Sequence, residues 1–136
     1  MDRRLQAVLN EKYPNLCQET RLTPQQSCMA FGFEVGDGWF KLLDDLFSKL
    51  SKHEGVVLAQ VKEKFGLLRV YINHGTDEVY KLIDECESKS GKICETCGEP
   101  GHRCGRRWIY TACDSCERKF EAGKRPWLDD WDDPVG

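Results

Sequence analysis

No run in this chain comes near the eighteen or so consecutive apolar residues that a membrane-spanning helix needs, and Met1-Asp2-Arg3-Arg4 offers no apolar leader. The expected location is therefore the cytoplasm, with no membrane partner. Histidine is scarce, with only His53, His74 and His102 in 136 residues, so converging acid, base and nucleophile groups have few candidates. Phosphate-cradling loops are missing too, because Gly36-Asp37-Gly38 has neither the preceding strand nor the lysine that such loops use. Nor is there a concentrated basic face. Net charge is −3, and residues 1–90 hold twelve Lys and Arg against fourteen Asp and Glu. Residues 91–125 hold eight against five, and residues 126–136 hold none against four. Binding to a phosphate backbone starts from a weak footing on that distribution.

Cysteine, by contrast, is abundant. Of eight cysteines, four fall in two C-x2-C pairs, Cys94-Glu95-Thr96-Cys97 and Cys113-Asp114-Ser115-Cys116, with fifteen residues between them. This is the ligand spacing of a structural zinc site: each pair turns two thiolates toward one ion, and the intervening residues return the chain as a hairpin. Four thiolates fill a tetrahedral Zn2+ and leave no position for water or substrate, so the one expected zinc holds structure. Gly98, Pro100, Gly101 and Gly105 supply turns, Trp108-Ile109-Tyr110 is the expected returning strand, and Asp114, Ser115 and Glu117 suit the start of a helix ending at Gly123. Knuckle, hairpin and helix resemble a treble clef, with a two-knuckle zinc ribbon sharing the spacing. His102 and Cys104 lie inside the loop as alternative ligands, placed by this reading at a tip pointing away from the ion. Cys17, Cys28, Cys86 and Cys104 are expected as free thiols.

Ahead of the cysteines the pattern alternates in period. Leu5, Val8, Leu9 and Tyr13 predict a helix closed by Pro14; residues 15–38 lack periodicity, with Met29, Phe31 and Phe33 expected against the core. Trp39, Leu42, Leu43, Leu46, Phe47 and Leu50 predict the clearest helix, with Asp37 as its N-cap. Residues 56–61 and 67–73 predict strands joined by a five-residue turn, residues 62–66, with Gly66 at the strained position. Thr76 caps a third helix that turns Val79, Tyr80, Ile83 and Cys86 inward and ends at Gly91. The fold class is α+β, with helices packed on a small antiparallel sheet and a treble-clef or zinc-ribbon-like module following. Three parts are expected: a core over 1–90, a zinc module over 91–125, and an acidic tail over 126–136 carrying Trp127 and Trp131.

Several stretches are distinctive together. Gly32-Phe33-Glu34, Gly36-Asp37-Gly38-Trp39-Phe40, Gln60-Val61-Lys62-Glu63-Lys64-Phe65-Gly66-Leu67-Leu68-Arg69 and the Cys94 pair with Gly98 resemble a family of small uncharacterised proteins encoded by tailed phages and prophages, over roughly residues 30–116. The resemblance implies a context, an accessory phage product in bacterial host cytoplasm, a setting rich in small inhibitors of host defence or host enzymes; it carries no biochemical function over to this chain. Comparison with the His-Asn-His nucleases fails on placement, since His74 precedes the cysteines by a whole helix. The expected function is binding, as an inhibitor or adaptor directed at a host protein. A nucleic-acid-binding finger and a nucleotide-sequestering protein are the alternatives. Lys62, Lys64, Arg69, Arg106, Arg107, Trp127 and Trp131 are the candidate partner- or anion-binding residues, and a homodimer is compatible with the exposed aromatics.

Overall fold

The computed structural model describes residues 1–123. In chain order these form α1 (Arg3–Lys12), β1 (Phe33–Glu34), α2 (Phe40–Leu50), β2 (Leu58–Lys64), β3 (Leu67–Ile72), α3 (Asp77–Ser90), β4 (His102–Cys104), β5 (Tyr110–Ala112) and α4 (Asp114–Gly123). The chain is α+β, with a three-stranded sheet in the order β1-β2-β3 and a separate two-stranded sheet of β4 and β5. Trp127 and Trp131 lie outside the described residues.

The helices start where the sequence provides acceptors. Asp2 accepts from the Arg4 backbone N–H at 2.7 Å to cap α1, and Thr76 accepts from the Val79 N–H at 3.3 Å to cap α3. Asp37 does not cap α2 as expected. Residues Asp37–Trp39 form a single 3-10 turn ahead of the helix, and the Asp37 carboxylate instead accepts from the Asp2 N–H at 2.7 Å. Along α2, Leu42, Leu43, Leu46, Phe47 and Leu50 are all buried, each contributing about 1.5–3 kcal/mol of apolar burial. They meet Leu58, Val61, Leu68 and Val70 from the sheet, Leu9 and Tyr13 from the α1 region, and Val79, Ile83 and Cys86 from α3 in one core. Tyr13 donates to the Asp44 carboxylate at 2.6 Å and Lys12 pairs with it at 2.8 Å, tying α1 to α2.

Three expected inward residues point elsewhere. Val8, Phe31 and Tyr80 are exposed, because Leu9, Met29 and Val79 fill the positions facing the core. The sheet also departs from a plain antiparallel hairpin, since β1 joins it in parallel, pairing Phe33 with Val61 and Glu34 with Lys62. Strand β2 runs through Lys64, so Lys62, Glu63 and Lys64 belong to the strand. The turn shrinks to Phe65 and Gly66, with φ of 55° and 80°. Two consecutive positive φ angles are the signature of a type I′ hairpin turn, whose twist matches that of the flanking strands.

The outer edge of β3 is closed by side chains of α3. Glu87 accepts from the Val70 N–H at 2.9 Å, and Ser90 accepts from the Leu68 N–H at 2.9 Å. A helix thereby serves as the missing strand and removes an open edge that would otherwise pair with another chain.

Candidate metal centre

The first cysteine pair sits on a tight knuckle. The Cys94 N–H donates to Glu99 O at 2.7 Å, the Gly98 N–H donates to Cys94 O at 2.9 Å, and Gly98 has a φ of 87° that a side chain would disfavour. The chain then forms the hairpin of β4 and β5, pairing His102 with Ala112 and Cys104 with Tyr110. Trp108 and Ile109 belong to its loop rather than to the returning strand. Cys113 follows β5 and starts α4: its carbonyl accepts from the Glu117 N–H at 2.9 Å, and its sulfur accepts from the Cys116 N–H at 3.4 Å. The second pair therefore rides on the first turn of a helix, where backbone N–H groups and the helix dipole favour thiolate. Knuckle, hairpin and helix-borne pair follow the treble-clef order; a zinc ribbon would have placed the second pair on another knuckle.

The four sulfurs of Cys94, Cys97, Cys113 and Cys116 lie within 4.8 Å of one another. Cys97 Sγ and Cys113 Sγ are 3.7 Å apart. A tetrahedron of thiolates with bonds of about 2.3 Å has an edge of about 3.8 Å, so this separation fits one ion with four sulfur ligands. Burial opposes ionisation of Cys94, yet the N–H groups of Cys97, Cys113 and Thr96 outweigh it and bring the thiol down to about 7. Burial pushes Cys116 up to about 12, helped by proton sharing with Cys113, Cys94 and Cys97. Four thiolates this close cannot ionise together without a cation among them. Cys17 and Cys86, each pushed up to about 12 by burial in the core, are inert packing cysteines.

This centre is seated on the rest of the protein at two places. The Gly38 N–H donates to Glu95 O at 2.7 Å, the Gly36 N–H to the Glu95 carboxylate at 2.9 Å, and the indole N–H of the fully buried Trp39 to Ile93 O at 2.8 Å. At the other place the hairpin turn receives β4 and β5: Arg103 donates to Phe65 O and Thr111 to Gly66 O. Residues 36–39 and 65–66, the two most distinctive sequence stretches, thus meet the metal module directly.

Burial raises the pKa of the Glu95 carboxyl, which the Gly36 N–H only partly offsets. A raised carboxyl pKa means that ionisation costs more in the folded chain than in the unfolded one. That cost is absent below the unfolded value of about 4.3 and grows as pH rises through the folded value. Glu95→Gln keeps an acceptor for Gly36 and removes the charge. It is expected to melt a few degrees above the parent at pH 7, with the gap narrowing as both proteins are taken to lower pH. Comparison at each pH cancels the cysteine protonation common to both. A variant melting below the parent at pH 7 would show the charge to be stabilising.

Of the other candidate residues, Lys62 faces Arg69 across the hairpin, and Arg69 pairs with Glu87 at 3.3 Å, so much of its charge is satisfied within the chain. Lys64 is exposed with its ammonium 5.9 Å from the Phe65 ring centroid. Arg106 and Arg107 stand exposed in the β4–β5 loop. His102 and Cys104 occupy β4, not the hairpin tip, and group with Glu117 apart from the four cysteines. No helix among the described residues is long and apolar enough to cross a membrane. The chain matches no protein-family model, no curated protein and no solved structure.

Proposed function

We propose that this protein acts by binding a macromolecular partner, with one Zn2+ at the four cysteines stiffening the surface it presents. Zinc is the ion that a closed set of four thiolates at tetrahedral spacing suits best. The observation that carries the binding reading is the exposure of two large aromatics where the metal module meets the hairpin turn: Phe65 is 62% and Trp108 49% solvent-exposed. Arg103, held to Phe65 O, and Lys64, beside the Phe65 ring, place positive charge at Phe65. Rigid aromatics with basic neighbours are the composition of protein-binding hot spots.

A protein partner suits the site better than a phosphate backbone. Trp108 lines a small open cleft of about 220 Å³ with Glu63 and Glu95, whose carboxylates repel phosphate. In the setting implied by the resemblance to small phage and prophage proteins, that partner is a protein of the bacterial host, and the outcome is its inhibition or recruitment. Nucleotide sequestration by the loop over residues 30–40 and the hairpin has less support, because Gly36 and Gly38 of that loop are taken up by the knuckle. The nucleic-acid alternative keeps one supporting feature, the pairing of exposed aromatics with Arg103, Arg106 and Arg107, which suits stacking on single strands.

The test is native mass spectrometry of the protein isolated from bacterial cytoplasm, repeated with a Phe65→Ala/Trp108→Ala variant. Expected is one co-purifying protein whose affinity falls by about thirty-fold or more in the double variant while the metal stays bound, as for loss of hot-spot aromatics. Nucleic acid in place of a protein, with affinity falling by orders of magnitude between about 50 and 200 mM salt, would establish the alternative. Capture unchanged by the double substitution would rule out this surface.

A further inference from the structure

A second cluster of ligand-type side chains stands beside the four cysteines. His102 and Cys104 are two residues apart on β4 and so share one face of the strand. Glu117, one turn into α4, meets them there, and the nitrogen, sulfur and oxygen donors of the three lie within 4.8 Å of one another. His102 Nε2 is 3.4 Å from the Glu117 carboxylate, while His102 Nδ1 is 3.7 Å from the Asp114 carboxylate. Cys104 is buried at 6% exposure, whereas the His102 side chain is 52% exposed.

The separate features have ordinary explanations. Asp114 and Glu117 suit the first turn of a helix, and a buried cysteine packs as a small apolar group. Those explanations leave open why a thiol, an imidazole and a carboxylate converge on one point, with a second carboxylate behind the imidazole. From this convergence we infer that His102, Cys104 and Glu117 form a second divalent-cation site, distinct from the four-cysteine centre and of mixed sulfur, nitrogen and oxygen character.

The donor set selects the ion. Thiolate with imidazole favours zinc over magnesium or calcium, and a single carboxylate completes three protein ligands. Three ligands leave a fourth tetrahedral position for water or a ligand atom, unlike the closed centre next to it. With Nε2 and Glu117 on the ion, Nδ1–H faces Asp114. A carboxylate behind a ligating histidine fixes its tautomer and orientation in this way. The buried thiol anchors the ion, and the half-exposed imidazole leaves it an entry path. This site should therefore fill after the four-cysteine centre and empty before it.

The experiment is a zinc titration of the full-length protein, read by native mass spectrometry and by competition with a chromophoric chelator. Two zinc ions per chain are expected, the second bound more weakly and removed first by chelator. His102→Ala, at a half-exposed position, is expected to weaken the second site by at least about 100-fold and to leave the first zinc, and the melting temperature measured with one zinc per chain, unchanged. Glu117→Gln should weaken it likewise, and Asp114→Asn by about 10-fold as a positioning residue. Saturation at one zinc per chain would overturn the inference. So would a second zinc whose affinity is unmoved by His102→Ala and Glu117→Gln.

Discussion

Cys113→Ser is expected to lose the ion at the four-cysteine centre and to unfold residues 91–123, with a fall in melting temperature of more than about 10 °C. The substitution is well chosen because serine keeps the other duty of the position. Cys113 stands at the start of α4, with its carbonyl taking the Glu117 N–H and its sulfur taking the Cys116 N–H, and serine is a good N-cap residue. What serine cannot do is serve as the fourth thiolate. Structural zinc in finger peptides is bound with about 10–16 kcal/mol of apparent free energy, comparable to the whole stability of a domain this size. Three remaining ligands retain only part of it.

The loss should not stay within residues 91–123. The knuckle supplies acceptors to Gly36, Gly38 and Trp39, and the module's Arg103 and Thr111 hold the hairpin turn. Metal removal then leaves the buried Trp39 indole without its acceptor, a cost of about 1–3 kcal/mol on its own. Metal content by mass spectrometry and melting by circular dichroism check this, with Cys28→Ser as control. Cys28 is exposed and outside the four-cysteine cluster, so its substitution should leave both measurements unchanged. Full metal content in Cys113→Ser would show the ligand set to be wrong.

The elements that sequence revealed are those whose evidence is local. The α2 stripe repeats every three or four residues, Thr76 announces a helix start, and two C-x2-C pairs need only their spacing to imply one ion. What stayed hidden depends on residues distant in the chain. Nothing near Gly38 says that residues 94–98 will rest on it, and nothing near Val70 says that Glu87 will take its N–H. The charges of Lys62 and Lys64 suggest a turn, because polarity often marks one. They belong to β2, whose outer face carries them while Val61 faces the core. In the sequence Gly36 and Gly38 mark only an aperiodic stretch, and neither has a positive φ. Their need for glycine is set by neighbours sixty residues on.

Gly38→Ala is accordingly expected to weaken metal binding although Gly38 is no ligand. A Cβ at Gly38 would stand 2.1 Å from Cys94 O, 2.5 Å from Gly98 N and 2.7 Å from Glu95 C, all backbone atoms of the knuckle. A flexible side chain could move aside, but these atoms are held by the turn that aims Cys94 and Cys97 at the ion. Relief therefore requires the knuckle to lift off residues 36–39, breaking the Gly38 N–H bond to Glu95 O and straining the ligand geometry. The expected cost is about 3 kcal/mol, at the upper end for overpacking, together with at least a tenfold loss of zinc affinity. Gly55→Ala isolates the other way a glycine matters. Gly55 has a φ of 82° with nothing within 4 Å of a built Cβ, so alanine there should cost about 1–2 kcal/mol and leave zinc affinity untouched. Chelator competition on the two variants separates collision from conformation. If Gly38→Ala binds zinc as tightly as the parent and melts with it, the knuckle is not seated on this glycine. If it loses affinity while Gly55→Ala does not, then residues 36–39 are a scaffold for the metal centre. Their distinctive sequence would follow from that contact rather than from any ligand.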